Sequence, residues 1–124
     1  MFTSDLARAV ETARIAFAGT SIPIHEDARL RECNYGSLNG SPAAALAPRA
    51  RFIETPFPGG ESYRDVVTRV TRFLAQLAPY EGKRVLVIGH SATRWALEHQ
   101  LNGVALEDLV DAPLRWQPGW EFRA

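Results

Sequence analysis

The sequence predicts an α/β fold built on a parallel sheet, and three stretches carry that prediction. The first is Val85-Leu86-Val87-Ile88, four apolar residues that read as a strand buried on both faces. Gly89, His90 and Ser91 follow at its carboxyl end, and Ser91 is suited to cap a helix over Ala92–Leu101. The second is an amphipathic helix opening at Glu61-Ser62. Tyr63, Val66, Val67, Val70, Phe73, Leu74 and Leu77 mark its buried stripe. The third is a helix over Asp5–Phe17 behind a Ser4 cap, with Leu6, Val10, Ala13 and Phe17 on one face.

The strand-to-helix turn at His90 is the natural place for chemistry. Ligands of open parallel sheets bind outside the carboxyl ends of strands. A helix N-terminus adds unpaired N–H groups and about half a positive charge, which favours an anion. An imidazole, a hydroxyl and free backbone donors therefore meet at one turn. A packed or capping histidine is the plainer alternative for His90.

Bulk composition narrows the function. At 124 residues the chain is of single-domain length, taken as one domain over 1–124. Its formal net charge is zero, which argues against non-specific binding to nucleic acid or an anionic membrane. Thirteen of its fourteen basic residues are arginine, with Lys83 the exception, but codon bias explains that as readily as phosphate binding does. Cys33 is the sole cysteine, so no intrachain disulfide and no cysteine-based metal site is expected, and a cytoplasmic setting fits. No apolar run has the length of a membrane span.

The remaining elements follow in order. Met1–Thr3 ends an extended segment. Ala18-Gly19 stops the first helix. Arg8 lies in the early turns of that helix, where the macrodipole does not favour a cation. It is a solvated surface residue unless an anion binds nearby. Ile22–Glu26 reads as a short edge strand, because Pro23 cannot donate to a ladder. Arg29–Gly40 has no period and suits a shaped loop. Within it, Glu32 is either a surface ion-pair partner of Arg29 or Arg31, or an acid held for proton transfer. Pro42 and Pro48 limit helix in Ser41–Thr55. Asn102-Gly103 stops the helix after His90. Leu106–Val110 is a short helix, and Trp116–Phe122 is expected as a last strand broken at Pro118-Gly119.

Four fragments, taken together and in this order, resemble the histidine phosphatase superfamily. They are Thr3-Ser4-Asp5-Leu6-Ala7-Arg8-Ala9-Val10-Glu11-Thr12-Ala13, Leu30-Arg31-Glu32-Cys33-Asn34-Tyr35-Gly36, Pro58-Gly59-Gly60-Glu61-Ser62 and Val87-Ile88-Gly89-His90-Ser91. The resemblance implies a three-layer α/β/α fold with a mostly parallel sheet, of the phosphoglycerate-mutase-like kind. It implies that Arg8 binds phosphoryl oxygens, that Glu32 protonates the leaving oxygen, and that His90 contacts the phosphoryl group, with the backbone N–H of Ser91 beside it. Glu61 and Ser62 are pocket-edge candidates or simple helix-start chemistry.

The departure is as informative. Members of that family open with a strand ending in Arg-His-Gly, whose histidine attacks phosphorus. This chain holds no Arg-His-Gly; His25, His90 and His99 are its histidines. The expectation is a fold lacking that first strand, with no metal or cofactor and with a phosphorylated small molecule or inorganic phosphate as ligand. The strand left open beside Val85–Ile88 is expected to pair in a homodimer or a rearranged sheet.

Overall fold

The computed structural model describes all residues, 1–124. Three short strands form the sheet: β1 (Phe2–Thr3), β2 (His25–Glu26) and β3 (Val87–Ile88). Their order is β2-β1-β3 and both pairings are parallel, with Phe2 opposite His25 and Val87. The α/β class and the edge position of β2 are as expected.

Three helices accompany the sheet: α1 (Ala7–Ala16), α2 (Tyr63–Ala75) and α3 (Ser91–Asn102). α2 follows its sequence signature closely. The Ser62 hydroxyl accepts from the Asp65 N–H, and the Asp65 carboxylate accepts from the Ser62 N–H, a reciprocal capping box. Tyr63, Val66, Val67, Val70 and Phe73 of α2 are buried. The first four pack with Trp95, Ala96 and Leu97 of α3 and with Leu106 and Val110 beyond it. Phe73 also meets Phe2 edge to face at 5.3 Å, which docks α2 on β1.

The loops are fixed by backbone contacts between distant motifs. Gly36 has φ +58°, and a Cβ there would lie 2.0 Å from the Pro58 carbonyl oxygen. A Cβ on Gly60 would lie 2.2 Å from the Asn34 carbonyl oxygen. The close approach is used: Ser37 N–H donates to Pro58 at 2.9 Å, and Glu61 N–H donates to Asn34 at 2.7 Å. Only glycine allows two backbones this near.

Several local expectations are corrected. α1 begins at Ala7 with Leu6 as its cap; the Ser4 hydroxyl accepts from the Leu6 N–H instead and is turned toward His90. Its buried positions are Ala9 and Ala13, while Leu6, Val10 and Phe17 are half-buried, because the sheet beneath it is narrow. The cap of α3 is His90, and Ser91 is its first residue. β3 is not buried on both faces. It has a partner on one flank only, its residues are half-buried, and the neighbouring Leu86 is 45 % exposed. Trp116–Phe122 forms no strand; Trp120 lies under the Arg94 guanidinium and Phe122 packs on the core instead.

Candidate functional site

β3 delivers His90 to the start of α3, where its N–H donates to the Thr93 hydroxyl at 3.0 Å. The Thr93 hydroxyl donates in turn to the Leu30 carbonyl at 2.9 Å, so α3 is tied to the loop that carries Glu32. The imidazole of His90 lies between two residues of the β1–α1 segment. Its Nε2 is 2.9 Å from the fully buried Ser4 Oγ, and its Nδ1 is 3.5 Å from Arg8 Nη2. A guanidinium can only donate. Nδ1 is therefore the acceptor, and Nε2–H donates to Ser4.

Burial, followed by the charges of Arg8 and Arg69, lowers the His90 pKa to about 4. The ring is neutral at physiological pH. Arg8 itself is exposed.

Glu32 enters from the opposite side. One carboxylate oxygen accepts from Cys33 N–H at 2.8 Å and from Ala92 N–H at 3.2 Å. Its carboxylate thus sits against the first turn of α3, next to Ser91. The two arginines that could have paired with it are used elsewhere. Arg29 forks onto Asp27, and Arg31 forks onto Asp5 with both contacts at 2.6 Å. These pairs hold the Asp27 and Asp5 carboxyls below the usual carboxylate range. The ion-pair reading of Glu32 is thereby replaced by backbone contact.

Arg8, Glu32 and Ser91 line one open cleft of about 820 Å³, together with Arg31, Asn34, Tyr35, Arg49 and Trp95. His90 is not among the lining residues; it reaches the cleft through its contact with Arg8 and its neighbour Ser91. The other histidines are engaged away from it. His25 is exposed with its ring 5.3 Å from Phe2, and His99 contacts the Val104 carbonyl at 2.8 Å and Arg64 at 3.1 Å. Cys33 is no alternative nucleophile, because burial pushes its thiol up to about 12. No group of three or more His, Cys, Asp or Glu residues is placed to hold a metal ion.

Sequence reasoning missed two features here. Ser4 has the local signature of a cap, whereas its hydroxyl contacts His90 across 86 positions, a pairing no local signal announces. Arg49 carries no local signal of a site, yet its Nε is buried without a partner and the residue lines the cleft. Glu61 and Ser62 resolve into scaffold roles: Ser62 caps α2, and Glu61 accepts from Asn34 N–H and from Arg69.

A parallel sheet with a strand-to-helix turn that gathers an arginine, a neutral imidazole and a carboxyl group defines the chain as an α/β protein with a polar cleft at the start of α3. Residues 1–117 match the model of the histidine phosphatase superfamily, branch 1, and the chain belongs to that superfamily. It is 34% identical over 128 aligned positions to the 2,3-bisphosphoglycerate-dependent phosphoglycerate mutase of Cytophaga hutchinsonii, covering 91% of this chain and 60% of that protein. It is 30% identical to an uncharacterized phosphatase, PhoE, of Bacillus subtilis, covering 82% of this chain and 52% of the relative. Among solved structures, Bacillus stearothermophilus YhfR superposes with a TM-score of 0.75 at 28% identity, over 90% of this chain and 60% of that one. Mycobacterial glucosyl-3-phosphoglycerate phosphatase with inorganic phosphate superposes with a TM-score of 0.70 at 31% identity, over 88% and 61%. The chain thus spans about three fifths of the length of the first of these relatives.

Proposed function

We propose that this chain forms the phosphoryl-binding part of a phosphomonoesterase of the histidine phosphatase type. The observation that carries the reading is the convergence of Arg8, His90 and Glu32 at the first turn of α3. Charge on a transferring phosphoryl group lies on its non-bridging oxygens, where fixed cations and N–H donors stabilise it. Arg8 and the backbone N–H of Ser91 supply those donors. Glu32, already on the Ala92 N–H, is placed to give a proton to the leaving oxygen and later to activate water; such proton transfer is worth about 10²–10⁴ in rate. No metal or cofactor enters the scheme.

Attack on phosphorus through a phosphohistidine needs a nucleophilic imidazole. His25 and His99 do not line the cleft, and His90 is turned between Ser4 and Arg8. We therefore expect the chain alone to form no phosphoenzyme and to turn over p-nitrophenyl phosphate little or not at all. The second reading, a non-catalytic module that binds phosphate or a phosphorylated metabolite, is favoured by the same arrangement, since binding groups are present without an attacking one. Titration with inorganic phosphate, followed by NMR, tests both. Shifts at Arg8, Ser91 and His90 without turnover are the expected result. Robust turnover abolished by His90→Ala would reassign the nucleophile to His90, and no shift at all would end the phosphate reading.

The ligand class is a phosphorylated small molecule. Nucleic acid is disfavoured by the zero formal net charge. No helix is long and apolar enough to cross a membrane. A cytoplasmic setting remains part of the proposal, supported by the lone buried thiol. So does a homodimer, supported by the unpaired flank of β3 and the exposed Leu86 beside it. Light scattering at micromolar concentration is expected to give twice the chain mass; a strict monomer contradicts the dimer.

A further inference from the structure

The loop that carries Glu32 has almost no regular structure to hold it. After a 3₁₀ turn at Ala28–Leu30, residues 31–35 belong to no helix or strand. Beside the bond from Thr93 to the Leu30 carbonyl, one side chain of α2 holds the loop at three further carbonyls. Arg69 Nη1 donates to the carbonyls of Arg29 and Arg31, each at 2.8 Å, and Nη2 donates to the carbonyl of Glu32 at 3.0 Å. Its remaining N–H groups, on Nε and Nη2, fork onto the Glu61 carboxylate at 2.9 and 3.0 Å. All five guanidinium donors are thus satisfied. Glu61 closes the bracket on the far side of the loop by accepting from Asn34 N–H at 3.0 Å. The ion pair holds the Glu61 carboxyl below its usual range despite burial.

We propose that Arg69 is the positioning residue of Glu32: its fork, backed by Glu61, fixes the backbone of residues 29–34 so that the Glu32 carboxylate lies on the first turn of α3. The geometry requires arginine. A lysine ammonium is a point charge with three donors and cannot span three carbonyls and a carboxylate at once. Arg69 touches none of the groups that would meet a phosphoryl oxygen directly. It acts from behind, through the backbone.

The inference rests on the reading of Glu32 as the proton-transfer group, and the experiment separates the two. Amide hydrogen exchange is measured on the full chain, as wild type and as Arg69→Lys, with and without inorganic phosphate. The Cys33 and Ala92 amides, which donate to the Glu32 carboxylate, are expected to exchange about tenfold faster or more in Arg69→Lys, while the Val70 and Phe73 amides inside α2 stay within about twofold. A purely structural role would raise exchange throughout α2 as well. Should Arg69→Lys fail to fold, Glu61→Gln, which removes the charge from the back of the clamp, is expected to show the same selective pattern. A folded variant whose Cys33 and Ala92 amides are as protected as in wild type overturns the proposal. Failure of the underlying phosphate reading shows elsewhere, as wild-type Arg8 and His90 resonances unmoved by phosphate.

Discussion

Trp95 and Trp116 are the same residue type with opposite fates. Trp95 is 7 % exposed inside the α2–α3 cluster, whereas Trp116 is 79 % exposed on the segment after the last 3₁₀ turn. The difference lies in the partners that each position meets. Around Trp95, Tyr63 sits edge to face at 5.5 Å, Phe57 joins Tyr63 at 5.7 Å, and Phe52 stacks on Phe57 at 3.9 Å. Trp116 has no aromatic partner and lies outside the core cluster. The α2–α3 side of the molecule is a packed core; β3, with Leu86 exposed beside it, is the thin side of the sheet.

The contrast is broken most forcefully at Phe57, 1 % exposed and in contact with Tyr35, Phe52 and Tyr63. Phe57→Ala is expected to cost about 3–5 kcal/mol of stability, read by urea denaturation, because both transfer and cavity costs apply. A loss below about 1 kcal/mol would mean that this cluster is not the core.

A smaller effect sharpens the comparison at the site between the two regions. His90 has a folded-state pKa of about 4, below its ordinary 6.5. The unfolded chain therefore takes up a proton that the folded chain refuses as pH falls from about 6.5 to about 4, and stability drops across that window. Above about 6.5 the ring is neutral in both states and contributes no slope. His90→Gln is expected to flatten the stability curve between pH 6.5 and 4.5. The lowered carboxyls of Asp5, Asp27 and Glu61 add their own loss as pH falls through the ordinary carboxylate range and below, so the upper part of the window, from about 6.5 to about 5, reports His90. An unchanged slope in His90→Gln would show that the ring is not buried as described.

The smallest change in fold stability is expected on the open side. Leu86→Lys should alter the stability of the isolated chain by no more than about 0.5 kcal/mol, as exposed substitutions do. It should also disperse any dimer formed across β3, since a charge at a strand edge opposes pairing. A dimer that survives Leu86→Lys is formed through another face.

Much of this is legible in the sequence. The stripe from Tyr63 to Phe73 and the Ser62 signature both follow from local spacing, and both stand in the structure. So does the stop at Asn102, with Gly103 in the left-handed region. The separate motifs that hold Arg8, Glu32 and His90 were also visible, because each is a short run of sequence. The errors fall where a residue's partner is distant in sequence. Ser4 looks like a cap locally, and its bond to His90 depends on β1 and β3 lying side by side. Val85–Ile88 looks buried because it is apolar, yet its burial depends on how many strands flank it.

Sequence alone determined where the three long helices lie, that α3 stops at Gly103, and which residue types could meet a phosphoryl group, since propensity, capping and periodicity act over a few residues; α2, by contrast, stops at Ala75, short of Leu77 in the expected stripe. Tertiary structure alone decided that Arg29 and Arg31 would pair with Asp27 and Asp5, leaving Glu32 to the start of α3, and that one guanidinium on α2 would hold the loop beneath it. Directional contacts of that kind need both partners brought within about 3 Å, and only the packed chain does so.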